Sequence, residues 1–169
     1  MSGSSGEALN EYERKIIDNI DKHGWFCTSV FEDEGKTPSF SYSVGFTKTL
    51  KSPEFIVFGL DTSLMHEMLW EIFHQLKDGR VPSDHQRWSN VLEGYDCISR
   101  PVHPTNVIRD YLNSAMWFWG NPAERGGPLT AFQLVWPCAK TGLYPWDTDC
   151  SQFVRDCQPP LYLPNRALS

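Results

Sequence analysis

Several short motifs that mark phosphate, serine-nucleophile and zinc sites are missing from this chain. Neither G-x-G-x-x-G nor G-x-x-x-x-G-K-[ST] occurs, so the sequence predicts no Rossmann dinucleotide site and no P-loop. G-x-S-x-G and H-E-x-x-H are absent as well. His66 and His74 are eight positions apart, which on a helix separates them by about 80° and roughly 12 Å. We therefore expect no metal site and no bound cofactor.

Runs of positive charge and long apolar segments are also missing. The chain has 15 Lys and Arg against 21 Asp and Glu, a formal net charge of -6, and no run of three cations. Such a surface releases few counterions from phosphates, so nucleic-acid polymers are not expected partners. No apolar stretch reaches the roughly 18 residues of a membrane span, and the N-terminus lacks the features of a signal peptide. The expected location is the cytoplasm, away from membranes.

Cysteine is sparse and follows no metal or disulfide pattern. The cysteines are odd in number and no C-x-x-C pair occurs, which fits neither a disulfide framework nor a zinc ribbon. We expect reduced thiols, most of them in the core, where cysteine behaves as a small apolar residue. The five are Cys27, Cys97, Cys138, Cys150 and Cys157.

Aromatic residues are what the chain has in excess. Phe, Trp and Tyr make up 14% of its 169 residues. Some follow the periodicity of core stripes, as Tyr12 and Phe73 do, whereas others lie at motif edges and in loops. The second group suits either a pocket for a flat ligand, a protein-binding patch or a satellite core under long loops. It consists of Trp25, Tyr42, Trp119, Trp136 and Trp146.

The hydrophobic pattern predicts the secondary structure and the fold class. Helical spacing of apolar residues predicts helices over 7–22, 64–76 and 111–119. Alternating or continuous apolar runs predict strands over 25–31, 40–46, 55–58, 88–92, 95–100 and 132–136. Helices and strands alternate irregularly, with a hairpin early in the chain. We therefore expect an α+β fold, with a mainly antiparallel sheet packed with two or three α-helices.

The length fits one compact domain of about 150 residues with short additions at the ends. Residues 1–6, MSGSSG, have the composition of a flexible, tag-like N-terminus. We expect a single globular domain over 7–158 and a C-terminal tail over 159–169.

Polar residues inside the apolar segments are candidates for a site. His23 ends the first helix, where an imidazolium either caps the helix or acts as a ligand or catalytic group. Glu54 enters the buried strand and needs a partner such as Arg100 or His103, or else is a functional acid. Gln133 is either a structural clasp or a group that reads a ligand, because a buried amide must satisfy both ends.

Five short segments, taken in order, resemble a known family. They are HGW at 23–25, YSVGF at 42–46, PEFIVFGL at 53–60, QLVWP at 133–137 and GLYPW at 142–146. In order and spacing they are similar to the family catalogued as domain of unknown function 4262, found mainly in bacteria and also in phages. The resemblance covers most of the chain. It implies no activity, and its mostly Gly, Pro, Trp and apolar signature suits the shaping of a pocket or core more than acid–base chemistry.

The first functional hypothesis is a binding domain that holds or sequesters a small planar or nucleotide-like ligand. The motivation is the aromatic excess together with the absence of a nucleophile motif. The distribution that the resemblance implies suggests a role in phage–bacterium conflict. The predicted ligand-binding residues are His23, Trp25, Tyr42, Gly45, Gln133, Trp136 and Trp146.

Two alternatives from other classes stay open. One is a hydrolase in which His23 and Glu54 form an acid–base pair, which requires them to lie about 3 Å apart or to share one water. The other is an acidic protein-interaction module of the immunity type, which recognises a partner through charge complementarity. The sequence favours a protein that is not an enzyme and leaves a homo-oligomer open.

Overall fold

A six-stranded mixed sheet forms the centre of the fold. The computed structural model describes residues 8–31 and 37–165, so the predicted tag-like segment 1–6 lies outside the described residues. The strands are β1 Phe26–Val30, β2 Phe40–Val44, β3 Glu54–Phe58, β4 Gln86–Leu92, β5 Tyr95–Pro101 and β6 Ala131–Val135. Their order in the sheet is β1-β2-β3-β6-β5-β4. Every neighbouring pair is antiparallel except β3 and β6, which run parallel.

Three longer helices and three short ones accompany the sheet in the described residues. The longer ones are α1 Glu11–His23, α3 Thr62–Lys77 and α4 Arg109–Trp119. The short ones are α2 Phe46–Thr49, α5 Pro122–Arg125 and α6 Gln152–Cys157. The molecule is thus the single α+β domain that the sequence predicts, with a mostly antiparallel sheet.

Local chemistry sets the ends of α1. Asn10 caps the helix: its side chain accepts from the Glu13 amide at 2.8 Å, and the Glu13 side chain accepts from the Asn10 amide at 3.0 Å. Gly24 ends it with a left-handed backbone and donates to the Ile20 carbonyl at 2.8 Å. The helix therefore starts at residue 11, four residues later than the apolar spacing suggests.

The two faces of the sheet carry separate cores. On one face α3 packs against Phe55, Val57 and Leu134. On the other face α1 and α4 pack against Tyr42 and Ile56. The strand β3 contributes to both cores because it is central and wholly buried, as its continuous apolar run predicts.

The chain beyond α6 belongs to this packing. Residues 158–163, here called the C-terminal segment, lie against β6, and Leu161 is buried in the core shared with α1 and α4. The Asn106 amide nitrogen donates to the Leu161 and Leu163 carbonyls at 2.9 and 2.8 Å. Polar side chains inside the domain thus hold part of the stretch that the sequence suggests is a tail.

Candidate functional site

A cavity of about 690 Å³ lies between α1, α4, the segment 102–107 that follows β5 and the loop 128–130 that precedes β6. Its aromatic wall consists of Tyr12, Trp117 and Trp119. Aliphatic side chains and prolines complete the apolar surface. The polar residues that line it are Asn10, Glu13, Arg109, Asn113, Ser114 and Thr130. The volume and the mixture of flat apolar walls with a few polar groups are typical of small-molecule sites.

A break in α4 shapes the floor of this cavity. Leu112 has non-helical backbone angles, φ -134° and ψ 32°, directly before Asn113 and Ser114. The Ser114 amide donates to the Tyr42 hydroxyl at 2.9 Å, and the Ser114 hydroxyl lies 3.3 Å from that of Tyr12. Because Tyr42 is buried on β2, the sheet holds the irregular part of the helix in place.

The charged and aromatic groups of the cavity differ in how firmly they are held. Glu13 is engaged with the α1 cap through one carboxylate oxygen. Trp119 donates from its indole nitrogen to the Gly127 carbonyl at 3.0 Å, and the Arg125 guanidinium lies 4.5 Å from its ring centre. Arg109, the first residue of α4, is exposed and has no ion pair within the described part of the chain. The cavity thus combines fixed rings with one available cation.

Tyr42 does not line the cavity, but its hydroxyl accepts a hydrogen bond from Ser114, which does. None of the seven predicted residues is among those lining the cavity. Trp25 lies in an aromatic cluster against α3, with its ring centre 5.4 Å from that of Phe46 and 5.2 Å from that of Trp70. His23 is exposed at the last turn of α1.

Gly45 and the two later tryptophans are held in packing interactions. A Cβ at Gly45 would lie 2.9 Å from the Ile20 side chain, and the backbone there has φ +110°, so the position needs glycine. Trp136 is buried and donates to the Phe58 carbonyl at 2.8 Å. Trp146 stacks on Tyr144 with ring centres 5.4 Å apart. The structure therefore does not bring the predicted set together in one pocket.

Gln133 acts as a clasp for the C-terminal segment. Its amide nitrogen donates to the Pro159 carbonyl at 2.9 Å, and its oxygen accepts from the Leu161 amide at 2.9 Å. Gln158, which belongs to the C-terminal segment, bonds the chain just after β6: its side-chain oxygen accepts from the Trp136 amide, and its side-chain nitrogen donates to the Trp136 carbonyl. Both buried amides thus satisfy their donors and acceptors within the fold, which is the structural alternative considered for Gln133.

Glu54 is enclosed by hydrogen-bond donors. With 1% of its surface exposed, its carboxylate accepts from the Ser43 hydroxyl at 2.7 Å and from the amides of Gly45 and Phe46 at 2.8 and 3.1 Å. The Thr47 hydroxyl is a fourth donor at 3.4 Å. Burial raises the pKa of Glu54 to about 7, while these hydrogen bonds act in the opposite direction.

The partners considered for Glu54 lie elsewhere. Arg100 pairs with Asp84 at 2.8 Å, and the His103 side chain bonds Thr105 at 2.8 Å. Within the described residues, His23 is not among the hydrogen-bond partners of Glu54. The carboxylate therefore organises the turn between β2 and α2, and the structure shows no acid–base pair formed with His23.

Sequence reasoning missed most of the residues that line the cavity. Arg109, Asn113 and Ser114 carry no motif, and the break at Leu112 depends on the Tyr42 hydroxyl far away in sequence. The available signal was the aromatic run at 117–119, two of whose members line the cavity. Within residues 8–31 and 37–165, no group of three or more His, Cys, Asp or Glu side chains is placed to hold a metal ion.

The comparisons with known proteins agree with the resemblance seen in the sequence. The model of the family described as domain of unknown function (DUF4262) matches residues 19–151. No curated protein and no solved structure matches the chain. In the described residues, no helix is long and apolar enough to span a bilayer.

Proposed function

We propose that this chain, which belongs to the family described as domain of unknown function (DUF4262), binds a small planar organic molecule in the cavity between α1 and α4. The observation that carries the proposal is the cavity itself. Its volume of about 690 Å³ falls within the roughly 300–1,000 Å³ of small-molecule sites. The ligand would lie against the aromatic wall and turn its polar edge toward Arg109 and Asn113 in the first half of α4.

The lining residues favour a flat ring system with one polar or anionic edge. Rings of Tyr12, Trp117 and Trp119 offer faces and edges for stacking. Arg109 and Asn113 are exposed side chains at the same cavity, and both can donate hydrogen bonds to a ligand. Heterocycles of the nucleobase and nucleotide class have this shape and chemistry.

A ligand screen with a blocked cavity tests the proposal. Purified protein is screened by thermal unfolding against nucleotides, cyclic nucleotides, nucleobases and aromatic carboxylic acids. A ligand at about 100 times its Kd stabilises by about 2.7 kcal/mol, which corresponds to a rise in Tm of roughly 5–10 °C for a domain of this size. Quenching of tryptophan fluorescence gives an independent reading, because two tryptophans line the cavity.

Two matched variants separate binding in the cavity from binding elsewhere. Asn113→Trp places a large ring on a residue that lines the cavity, whereas Asp110→Trp places the same ring on an exposed residue of α4 that does not line it. We expect the Tm rise to disappear in the first variant and to remain in the second. A screen without any stabilising compound, or an equal rise in both variants, contradicts the proposal.

The proposed activity is binding without turnover, and sequestration of a small molecule in phage–bacterium conflict is one setting for it. The hydrolase alternative gains no support from the geometry, since the oxygens of Glu54 are occupied by the turn that they organise. The acidic interaction module stays a prediction, and capture of a partner by the immobilised chain is its test.

A further inference from the structure

Two cysteines at opposite ends of the loop between β6 and α6 use the same backbone carbonyl as a hydrogen-bond acceptor. The Cys138 amide donates to the Leu143 carbonyl at 2.8 Å and closes a turn in which Gly142 donates back to the Cys138 carbonyl at 2.8 Å. The Cys150 thiol donates to the same Leu143 oxygen at 3.7 Å. Both side chains belong to the core packed under α3. Neither forms a disulfide.

The surroundings of the first thiol activate it. Hydrogen bonds from the Thr141 side chain and from the amides of Thr141 and Lys140 lower the pKa of Cys138 to about 7. Cys138 is 9% exposed and directly precedes the exposed turn 139–142. Cys138 is therefore about half thiolate at neutral pH.

Three of the other cysteines hold their proton more strongly. Burial raises the pKa of Cys150, of Cys27 to about 11 and of Cys97 to about 12. The Leu143 carbonyl thus joins the backbone of the activated Cys138 to the protonated thiol of Cys150. This division of roles is the one found in reactive cysteines that have a resolving partner.

We infer that Cys138 and Cys150 form a peroxide-sensitive thiol pair, independent of the cavity between α1 and α4. In the first step the Cys138 thiolate attacks one oxygen of a hydroperoxide and the O–O bond breaks. Cys138 becomes a sulfenic acid, and the leaving alkoxide or, for hydrogen peroxide, hydroxide takes up a proton from solvent to give an alcohol or water. In the second step the Cys150 sulfur attacks the Cys138 sulfur, and the hydroxyl leaves as water after taking up the Cys150 proton. The product is a Cys138–Cys150 disulfide, which an external dithiol reduces back to two thiols.

The disulfide would fasten the start of the 138–150 loop to its end. Tyr144 and Trp146 lie within this loop and stack on each other, and Arg155 of α6 donates to the carbonyls of Asp147 and Thr148 at 2.7 and 3.0 Å. Oxidation would therefore restrict a segment that is joined to α6 by hydrogen bonds. We expect the oxidised protein to resist proteolysis in this loop better than the reduced one.

Peroxide titration followed by peptide mapping tests the pair. The full chain is treated with hydrogen peroxide at pH 7, blocked with an alkylating agent and digested without reductant for mass spectrometry. We expect a cross-linked pair of peptides that contain Cys138 and Cys150, abolished by dithiothreitol. In Cys150→Ser, the Cys138 sulfenic acid should persist and be trapped by dimedone. Cys97→Ser is the matched control and should still form the cross-link.

The rate of alkylation gives a reading that does not depend on the disulfide. At pH 7 a thiol with a pKa of about 7 is about fifty times more ionised than one with the ordinary pKa of 9.0. A less basic thiolate is also a weaker nucleophile, which offsets part of this difference in ionisation. The rate of alkylation of Cys138 should therefore exceed that of an ordinary cysteine by roughly five- to eightfold. Cys138 should react first, with a rate that follows a titration centred near pH 7. Cross-links through other cysteines, or a Cys138 that reacts no faster than Cys27, overturn the inference.

Discussion

Replacement of Glu54 by glutamine isolates the protonation of one buried group. The carboxyl is surrounded by the hydroxyls of Ser43 and Thr47 and by the amides of Gly45 and Phe46. Glutamine has the same size and does not titrate, but its nitrogen cannot accept a hydrogen bond, so one of the two backbone amides that bond the carboxylate loses its partner. This cost does not depend on pH, whereas the wild type titrates.

The pKa of Glu54 determines how the two proteins diverge with pH. In the unfolded chain the carboxyl ionises near 4.5, and in the folded protein burial raises its pKa to about 7. Between these values the folded state holds a proton that the unfolded state has released, so the stability contributed by the neutral carboxyl is present below pH 4.5 and is lost as the pH rises through 7. The difference between the two pKa values, about 2.5, corresponds to about 3.5 kcal/mol at roughly 1.4 kcal/mol per pH unit.

Urea unfolding of wild type and Glu54→Gln at matched pH values measures the difference. Contributions of all other titrating groups cancel between the two proteins. We expect the free energy of unfolding of the variant, relative to that of the wild type, to rise by about 3 kcal/mol between pH 4.5 and pH 8. A variant whose relative stability falls as the pH rises would refute the reasoning. It would mean that the four donors lower the pKa of Glu54 more than burial raises it.

Two further substitutions test the polar contacts that hold the cavity floor and the C-terminal segment. Tyr42→Phe removes the acceptor of the buried Ser114 amide and should lower the free energy of unfolding by about 1–3 kcal/mol in urea; unchanged stability contradicts the assigned contact. Gln133→Leu leaves one half-buried carbonyl and one buried amide of the C-terminal segment without the partners they have in the wild type and should cost roughly 2–4 kcal/mol. Limited proteolysis should then cut the C-terminal segment faster, whereas the exposed control Gln152→Leu should behave as the wild type.

The regular part of the fold could be predicted because it repeats a local pattern. All six predicted strands and three predicted helices are present, with ends that differ by a few residues. Each follows from side-chain periodicity, which depends only on neighbours in the chain. Short helices such as α2 and α6 carry too few turns to show a period, so their apolar residues gave no helical signal.

The sequence predicted the type of site, an aromatic pocket, but not which residues line it. The aromatic excess pointed to a pocket, and a cavity with three aromatic residues in its wall is present. Yet most of the aromatics at motif edges proved to be packing elements, because a tryptophan that stacks in a core and one that lines a cavity look alike in a single sequence. Which of them faces open space depends on the position of α4 over the sheet.

The periodicity of apolar residues determined the α+β fold, and five short motifs in order carried the resemblance to the DUF4262 family, whose model matches residues 19–151. These properties are local patterns along the chain. The tertiary structure decided which polar groups meet. It brought Ser43 and two amides to Glu54, Tyr42 to the break in α4, and Gln133 to the C-terminal segment. Such contacts join residues that can be up to about seventy positions apart, and buried groups choose partners by proximity in space, which spacing along a single chain does not encode.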